Sequence, residues 1–243
     1  MNIETPLTQK NIDELAELEL ADKFENQNKR EIADGVTVLN SKEIDTQALI
    51  GMHEYISKQR EMGQIPNLLK DAIENKRLIN ITKKSRALDL GAGNLISAKY
   101  LEDREFGVIA VDVLQNEKWL EEIKDKKIDF RQEYIENFEF SEESFDLINA
   151  MDVLQFISEK DLTRIITDIE KSLKKNGIFI GRVFSVQDYR FANNKKVRGA
   201  KAFTKEEIKR LLDKEKFKII ELSEETNQKN NTSFLNIIAQ KGG

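Results

Sequence analysis

From Arg86 onward the chain alternates short apolar runs with amphipathic stretches, and this alternation restricts the fold more than any other feature. The runs RALDL (86–90), GVIAVDV (107–113), IDFR (128–131), FDLINA (145–150) and GIFIGRV (177–183) read as strands. Between them SAKYLED, EKWLEEIK and EKDLTRIITDIEKSLKK read as helices. The last of these ends in Lys174-Lys175-Asn176-Gly177, so basic residues followed by glycine predict the helix end there. The stretch QEYIENFEFSEES is predicted to hold one turn of helix at most. Strands alternating with helices imply βαβ units and an α/β fold with helices on both faces of a mostly parallel, doubly wound sheet. A helix from about Thr204 to Lys214 leads to FKIIELS (217–223), and a polar stretch then leads to SFLNIIAQK (233–241). Two final strands without a helix between them predict a C-terminal antiparallel hairpin, for seven strands in all.

Residues 1–80 follow another rhythm, so the chain is expected to divide into an N-terminal helical extension or cap (1–80) and a main domain (81–243). Ile12, Leu15, Ala16, Leu20 and Phe24 recur at three- and four-residue steps, predicting a helix from Thr8 to about Arg30. Asp34-Gly35 marks a turn, and VTVL (36–39) reads as a short strand. A second helix is predicted over about Thr46 to Arg60, and a third from Pro66, carrying Leu69, Ala72 and Ile73. Such helices most simply pack on the core, although their place before the first strand would also let them cover the sheet's carboxyl edge.

Composition narrows the chemistry. Among 243 residues there is no cysteine and one histidine, His53, which removes thiolate chemistry and leaves no basis for a histidine metal site or a Ser-His-Asp triad. No metal site is expected. Charged residues make up 34% with a net charge of −5, and basic residues interleave with acidic ones, so no nucleic-acid partner is expected. No apolar run approaches the ~20 residues that span a bilayer, and the first residues lack a signal-peptide pattern. A cytoplasmic protein, monomer or homodimer, without a membrane partner, is the expectation.

In an open parallel sheet the ligand lies beyond the carboxyl ends of the strands, where strand order reverses. The first strand of the main domain ends in Asp89-Leu90-Gly91-Ala92-Gly93, and the next ends at Asp112, 21 positions after Gly91. Glycines let backbone approach a ligand, the following helix N-terminus offers free amides, and an acidic residue at the second strand end accepts from both ribose hydroxyls. A pyrophosphate-binding turn usually carries a third glycine, whereas this chain continues Asn94-Leu95-Ile96. The pair therefore points to a nucleoside without phosphates, and an NAD-dependent enzyme is the weaker alternative.

The stretches ALDLGAGNL, VIAVDV, FDLINAMDVLQFI, IEKSLKKNGIFIG, FTKEEIKRLL and LNIIAQK resemble those of class I S-adenosylmethionine (SAM)-dependent methyltransferases. They are most similar to the small bacterial group related to tellurite-resistance methyltransferases. The resemblance covers about residue 84 to the C-terminus and implies a Rossmann-like fold with SAM as cofactor. It implies that Asp89, Gly91, Ala92, Gly93 and Asn94 surround the methionine part of SAM. Asp112, followed by Val113, would hold the ribose, and Glu133 would sit near the adenine. Asn149 and Ala150 would face the methionine amino group through backbone or side chain, with Met151 and Gln155 just beyond. Relatives often carry histidine and aromatic residues before the final strand, where this chain has Asn230, Asn231, Thr232 and Ser233. No catalytic base is thereby assigned. His53, Arg182 and Tyr189 are candidate acceptor-side groups, and Trp119 reads as a packing residue. The expected activity is methyl transfer to a small molecule. The alternatives are a protein or peptide methyltransferase, or a SAM-binding module without catalysis.

Overall fold

The computed structural model describes residues 29–33, 35–39, 65–75, 78–192, 199–228 and 231–242. A seven-stranded sheet is built from β3 (Arg86–Leu90), β4 (Gly107–Asp112), β6 (Ile128–Gln132), β7 (Phe145–Met151), β8 (Leu173–Phe184), β9 (Lys218–Asn227) and β10 (Thr232–Gln240). Its strand order is β6-β4-β3-β7-β8-β10-β9. The five strands from β6 to β8 run parallel, and β10 pairs antiparallel with both β8 and β9. The doubly wound sheet and its closing hairpin are as the sequence predicts. Strand order reverses between β3 and β7, so the switch point lies beyond Leu90 and Met151.

The central strands are buried on both faces, as parallel strands flanked by helices require. One face carries α1 (Asn67–Lys70, continuing as a wider turn over Asp71–Asn75), α2 (Ile96–Glu102) and α3 (Glu117–Glu121). Leu69, Ala72, Leu95, Ala98, Leu101 and Trp119 pack there on Ala87, Leu147 and Ile180. The other face carries α4 (Glu159–Ser172) and α6 (Lys205–Lys214), whose Leu162, Ile165, Ile169, Ile208 and Leu212 cover Leu88, Ile148 and Phe179. Both helices start on a side-chain cap. The Ser158 hydroxyl accepts from the Asp161 N–H, and Thr204 with Glu207 forms a reciprocal capping box.

Two local expectations are corrected. Helix α4 stops at Ser172 and does not run on through Lys175; Leu173, fully buried, pairs with Phe145 and begins β8. Burial of that one leucine overrides a local pattern that reads as a helix end. Between β6 and β7 the chain holds no helix, only turns over residues 135–137 and 142–143, within the expected limit of one helical turn. Lys29 and Arg30, at the end of the first predicted helix, are strand: β1 (Lys29–Ala33) and β2 (Val36–Leu39) form an antiparallel hairpin. The VTVL strand is therefore present, and it pairs with β5 (Leu114–Asn116) in a separate three-stranded sheet. The rest of that first helix, and the second predicted helix with His53, lie outside the described residues.

Candidate functional site

The chain leaves β3 through a turn held against the neighbouring strand. The Gly91 and Ala92 amides donate to the Val111 carbonyl at 2.8 and 3.0 Å. Gly91 and Gly93 have φ of 69° and 49°, conformations that side chains rarely adopt. Gly91 also lies under Val153: a Cβ at Gly91 would stand 2.5 Å from the Val153 Cβ. The turn is therefore pressed against the segment following β7. Asn94 Oδ1 accepts from the Ile96 N–H at 3.1 Å, a side-chain turn that leads the chain into α2. Leu95 holds a left-handed conformation with φ 60°, yet its side chain is only 1% exposed within the core beneath α2.

Asp112 ends β4 beside this turn. Its Oδ2 accepts from the Gly93 N–H at 2.8 Å and its Oδ1 from the Leu114 N–H at 2.7 Å. Each carboxylate oxygen retains a second lone pair for another donor. Burial raises its pKa, and the Leu114, Gly93 and Val113 amides oppose that rise. Glu133, just beyond β6, donates its backbone N–H to the Asp112 carbonyl at 3.0 Å and is half-buried.

Across the switch point Asn149 on β7 pairs with Asp89 on β3, and its side-chain amide donates to Asp89 Oδ1 at 2.7 Å. Both residues are 1% exposed. Burial pushes the Asp89 carboxyl up to about 7; the Asn149 amide draws it down, the Asp112 charge raises it and the Ala98 amide draws it down. Asp89 Oδ2 and Asn149 Oδ1 have no partner among the described residues. Ala150 is fully buried in the α4–α6 core, so its side chain faces away from Asp89 and only its backbone adjoins the site. Met151 lies half-buried on the α1–α3 face.

On the acceptor side, Arg182 pairs with Met151 in the ladder and makes a forked ion pair with Asp152, with Nε at 2.8 Å from Oδ1. Its guanidinium lies 4.7 Å from the Phe234 ring centroid. Tyr189 is 37% exposed at the start of α5 (Tyr189–Ala192). Gln155 is 1% exposed and neither of its amide atoms has a partner among the described residues. Ser233 is 1% exposed; its N–H donates to Asp188 Oδ2 at 3.0 Å and its hydroxyl lies 2.8 Å from that of Thr226. Thr232 and Ser233, expected just before the final strand, lie within β10, and Ser233 is tied to Thr226 of β9 and to Asp188. Trp119 is buried in the α3 interface.

Sequence reasoning missed Val153, whose side chain backs the glycine turn, and Gln132, whose amide bridges two backbone segments. Neither carries a local signal, because each acts on residues distant in the chain. Among the described residues no cluster of ligand side chains suits a metal ion, and no helix is long and apolar enough to cross a membrane.

This sheet order, with a glycine turn after the first central strand and an acidic residue ending the second, defines the Rossmann-like fold of class I SAM-dependent methyltransferases. Residues 88–181 match the family model described as a methyltransferase domain, which spans the glycine turn, Asp112, β7 and most of β8. No curated protein matches the chain by sequence. Solved structures with the same fold include the 1,6-didemethyltoxoflavin-N1-methyltransferase of Burkholderia thailandensis, determined with 1,6-didemethyltoxoflavin and S-adenosylhomocysteine. It is 16% identical with a TM-score of 0.60, over 89% of this chain and 100% of that one. The N-methyltransferase NodS of Bradyrhizobium japonicum WM9, solved with S-adenosylhomocysteine, is 17% identical with a TM-score of 0.58, over 77% and 88%. Phosphoethanolamine N-methyltransferase 2 of Haemonchus contortus, in complex with SAM, is 18% identical with a TM-score of 0.58, over 72% of this chain and 52% of that one. The cofactor of this class is SAM, and the residues present fit it. Two orphaned buried acceptors at the switch point suit an ammonium donor, and the turn beside them admits no side chain at Gly91.

Proposed function

We propose that the chain transfers a methyl group from SAM to a small-molecule acceptor. The observation that carries this reading is the coupling of the two halves of a nucleoside site: the Gly93 N–H donates to Asp112 at 2.8 Å, so glycine turn and ribose acceptor form one unit. In the proposed complex Asp112 accepts from the ribose hydroxyls, with Val113 and Glu133 on the adenine side. Gly91, Ala92, Gly93 and Asn94 line the methionine part, and Asp89 with Asn149 faces its ammonium group. Bound SAM supplies a methyl group already activated on a sulfonium. The protein's share is to hold an acceptor atom in line with that methyl and to exclude water. In the same proposal Met151, Gln155 and the Asp152–Arg182 pair near the ends of β7 and β8 border the acceptor.

The small-molecule class is supported by the fold neighbours, whose names specify 1,6-didemethyltoxoflavin and phosphoethanolamine. A cytoplasmic monomer or homodimer, and a separate role for residues 1–80, belong to the same proposal. Titration with SAM, S-adenosylhomocysteine and NAD tests the cofactor: NAD binding without SAM binding would overturn the reading. Transfer of label from methyl-labelled SAM into a bacterial metabolite extract, and not into its protein fraction, tests the acceptor class. Label in protein alone would favour a protein methyltransferase, and label in neither fraction a module that binds SAM without turning it over.

A further inference from the structure

The N-terminal hairpin is joined to the cofactor site at the residue following Asp112. Strand β2 pairs with β5 through Val36↔Asn116, Thr37↔Gln115 and Val38↔Leu114. The Leu39 N–H donates to the Val113 carbonyl at 3.2 Å, and the Glu117 N–H donates to the Gly35 carbonyl at 2.9 Å. Val36 and Val38 are buried, so the seat of the hairpin is apolar. Beside the seat stands Gln132, which pairs with Asp112 in the β4–β6 ladder. Its Nε2 lies 3.3 Å from the Thr37 carbonyl, 3.3 Å from Thr37 Oγ1 and 3.1 Å from the Val113 carbonyl. The Tyr134 hydroxyl adds a bond to the Leu39 carbonyl at 3.2 Å.

A physical path runs from these contacts to the ribose acceptor. Leu114 is held in β5 by Val38, and its N–H fixes Asp112 Oδ1 at 2.7 Å. Val113, between them, offers one carbonyl to both Leu39 and Gln132. Displacing the hairpin would release β5, and with it the amide that orients the Asp112 carboxylate. Packing alone does not account for Gln132: its Oε1 is buried without a partner among the described residues, a penalty that an apolar side chain of the same size would avoid.

We propose that Gln132 is a positioning residue of the cofactor site, which by clamping Thr37 to Val113 couples docking of the N-terminal hairpin to binding of the adenosine moiety. This rests on the reading that Asp112 holds the ribose of SAM. Coupling between two sites is reciprocal. The hairpin strengthens adenosine binding, and adenosine binding stabilises the hairpin.

The test is calorimetric titration of the full chain with S-adenosylhomocysteine and with methylthioadenosine, which keeps the adenosine and lacks the amino-acid part. Gln132→Met keeps the size and removes the donors; it is expected to weaken both ligands by the same factor, about 5- to 20-fold, within the range usual for coupled sites. Tyr134→Phe leaves Gln132 intact and is expected to weaken both by a smaller common factor. Ile166→Val, in the opposite core, lowers the melting temperature without altering either affinity. In the unmodified protein, saturating S-adenosylhomocysteine is expected to slow hydrogen exchange at the Leu39 amide, a readout that needs no variant. A Gln132→Met protein that melts lower but binds both ligands as the parent does would overturn the coupling alone, as would unchanged exchange at Leu39. Failure of the parent protein to bind S-adenosylhomocysteine would overturn the methyltransferase reading, and the coupling with it.

Discussion

Asn149 donates its side-chain amide to Asp89 across 2.7 Å at the point where the strand order reverses, and the carboxyl it holds is lifted by burial to about 7. The folded carboxyl thus binds its proton more tightly than the unfolded one, whose ordinary value is 3.8. Between roughly pH 4 and pH 7 the native state carries a proton that the unfolded chain has lost, so this group's contribution to stability falls as pH rises through that window. Other carboxylates act in the opposite sense: Asp188 and Glu207 are held below their ordinary values, Asp188 against its burial by its hydrogen bonds from Arg190. The measurable quantity is therefore a difference. Melting curves of the parent and of Asp89→Asn, taken from pH 4.5 to 8, should diverge in slope, with the parent losing stability relative to the variant as pH rises. Parallel curves would contradict the assignment. If the ammonium of the cofactor selects the ionised carboxylate, binding of S-adenosylhomocysteine at pH 7 also releases a fraction of a proton, readable by calorimetry in buffers of different ionisation enthalpy.

Gly91 combines a left-handed backbone with no room for a side chain. Alanine there would have to keep φ near 69° and place its Cβ 2.5 Å from the Val153 Cβ. Backbone strain and overpacking each contribute ~1–3 kcal/mol. Gly91→Ala is expected to lose ~2–5 kcal/mol by denaturant unfolding and at least tenfold in S-adenosylhomocysteine affinity, because the turn must move. Adding Val153→Ala removes the clash and leaves the strain, so the double variant should recover part of the loss. No recovery would mean that the contact with Val153 is not what confines the turn.

The parts of the site that were legible in the sequence are those with a local signature. A glycine turn after an apolar strand, followed 21 positions on by an acidic residue, is a spacing that nucleoside recognition requires and strand packing does not. The structure joins the two through Gly93 and Asp112. The central strands β3, β4 and β7 were legible because buried parallel strands leave near-continuous apolar runs. What escaped depends on contacts between segments far apart in the chain. Lys174-Lys175-Asn176-Gly177 satisfies every local rule for a helix end, yet Leu173 leaves the helix early to pack against Phe145. The strand VTVL was readable, but its partner Leu114–Asn116 is three residues long and reads as the approach to a helix. Gln132 and Val153 look like any strand-end polar residue and any loop valine until the folded chain brings Thr37 and Gly91 to them.

Asp112 has two tasks that substitution can separate. In the proposed complex it offers lone pairs to a ribose, and in the structure it anchors the Gly93 and Leu114 amides. Hydrogen bonds to a charged group are worth ~1.5–3 kcal/mol each, so Asp112→Ala should weaken adenosine and S-adenosylhomocysteine alike by roughly 10- to 100-fold and lower the melting temperature. Asp112→Asn keeps one acceptor oxygen and should retain an intermediate affinity. Unchanged adenosine affinity in Asp112→Ala would remove this residue from the ribose site.

Leu95 lies one position before Ile96, where a pyrophosphate-binding G-x-G-x-x-G turn would carry its third glycine, and its role is decided by where the side chain goes. It combines φ 60° with 1% exposure beneath α2, so the chain accepts a strained backbone to place a leucine in the core. Leu95→Ala keeps the strain and opens a cavity, for an expected loss of ~2–4 kcal/mol. Leu95→Gly loses the same packing but relieves the left-handed backbone, so it should be no less stable than the alanine variant, reversing the order found inside helices. Both variants should bind S-adenosylhomocysteine within about twofold of the parent at a temperature where they remain folded, since a core contact moves stability and a pocket wall moves affinity. An alanine variant that keeps its melting temperature but loses affinity would instead place Leu95 in the cofactor pocket, and the left-handed leucine would then be a feature of cofactor recognition and not of helix packing.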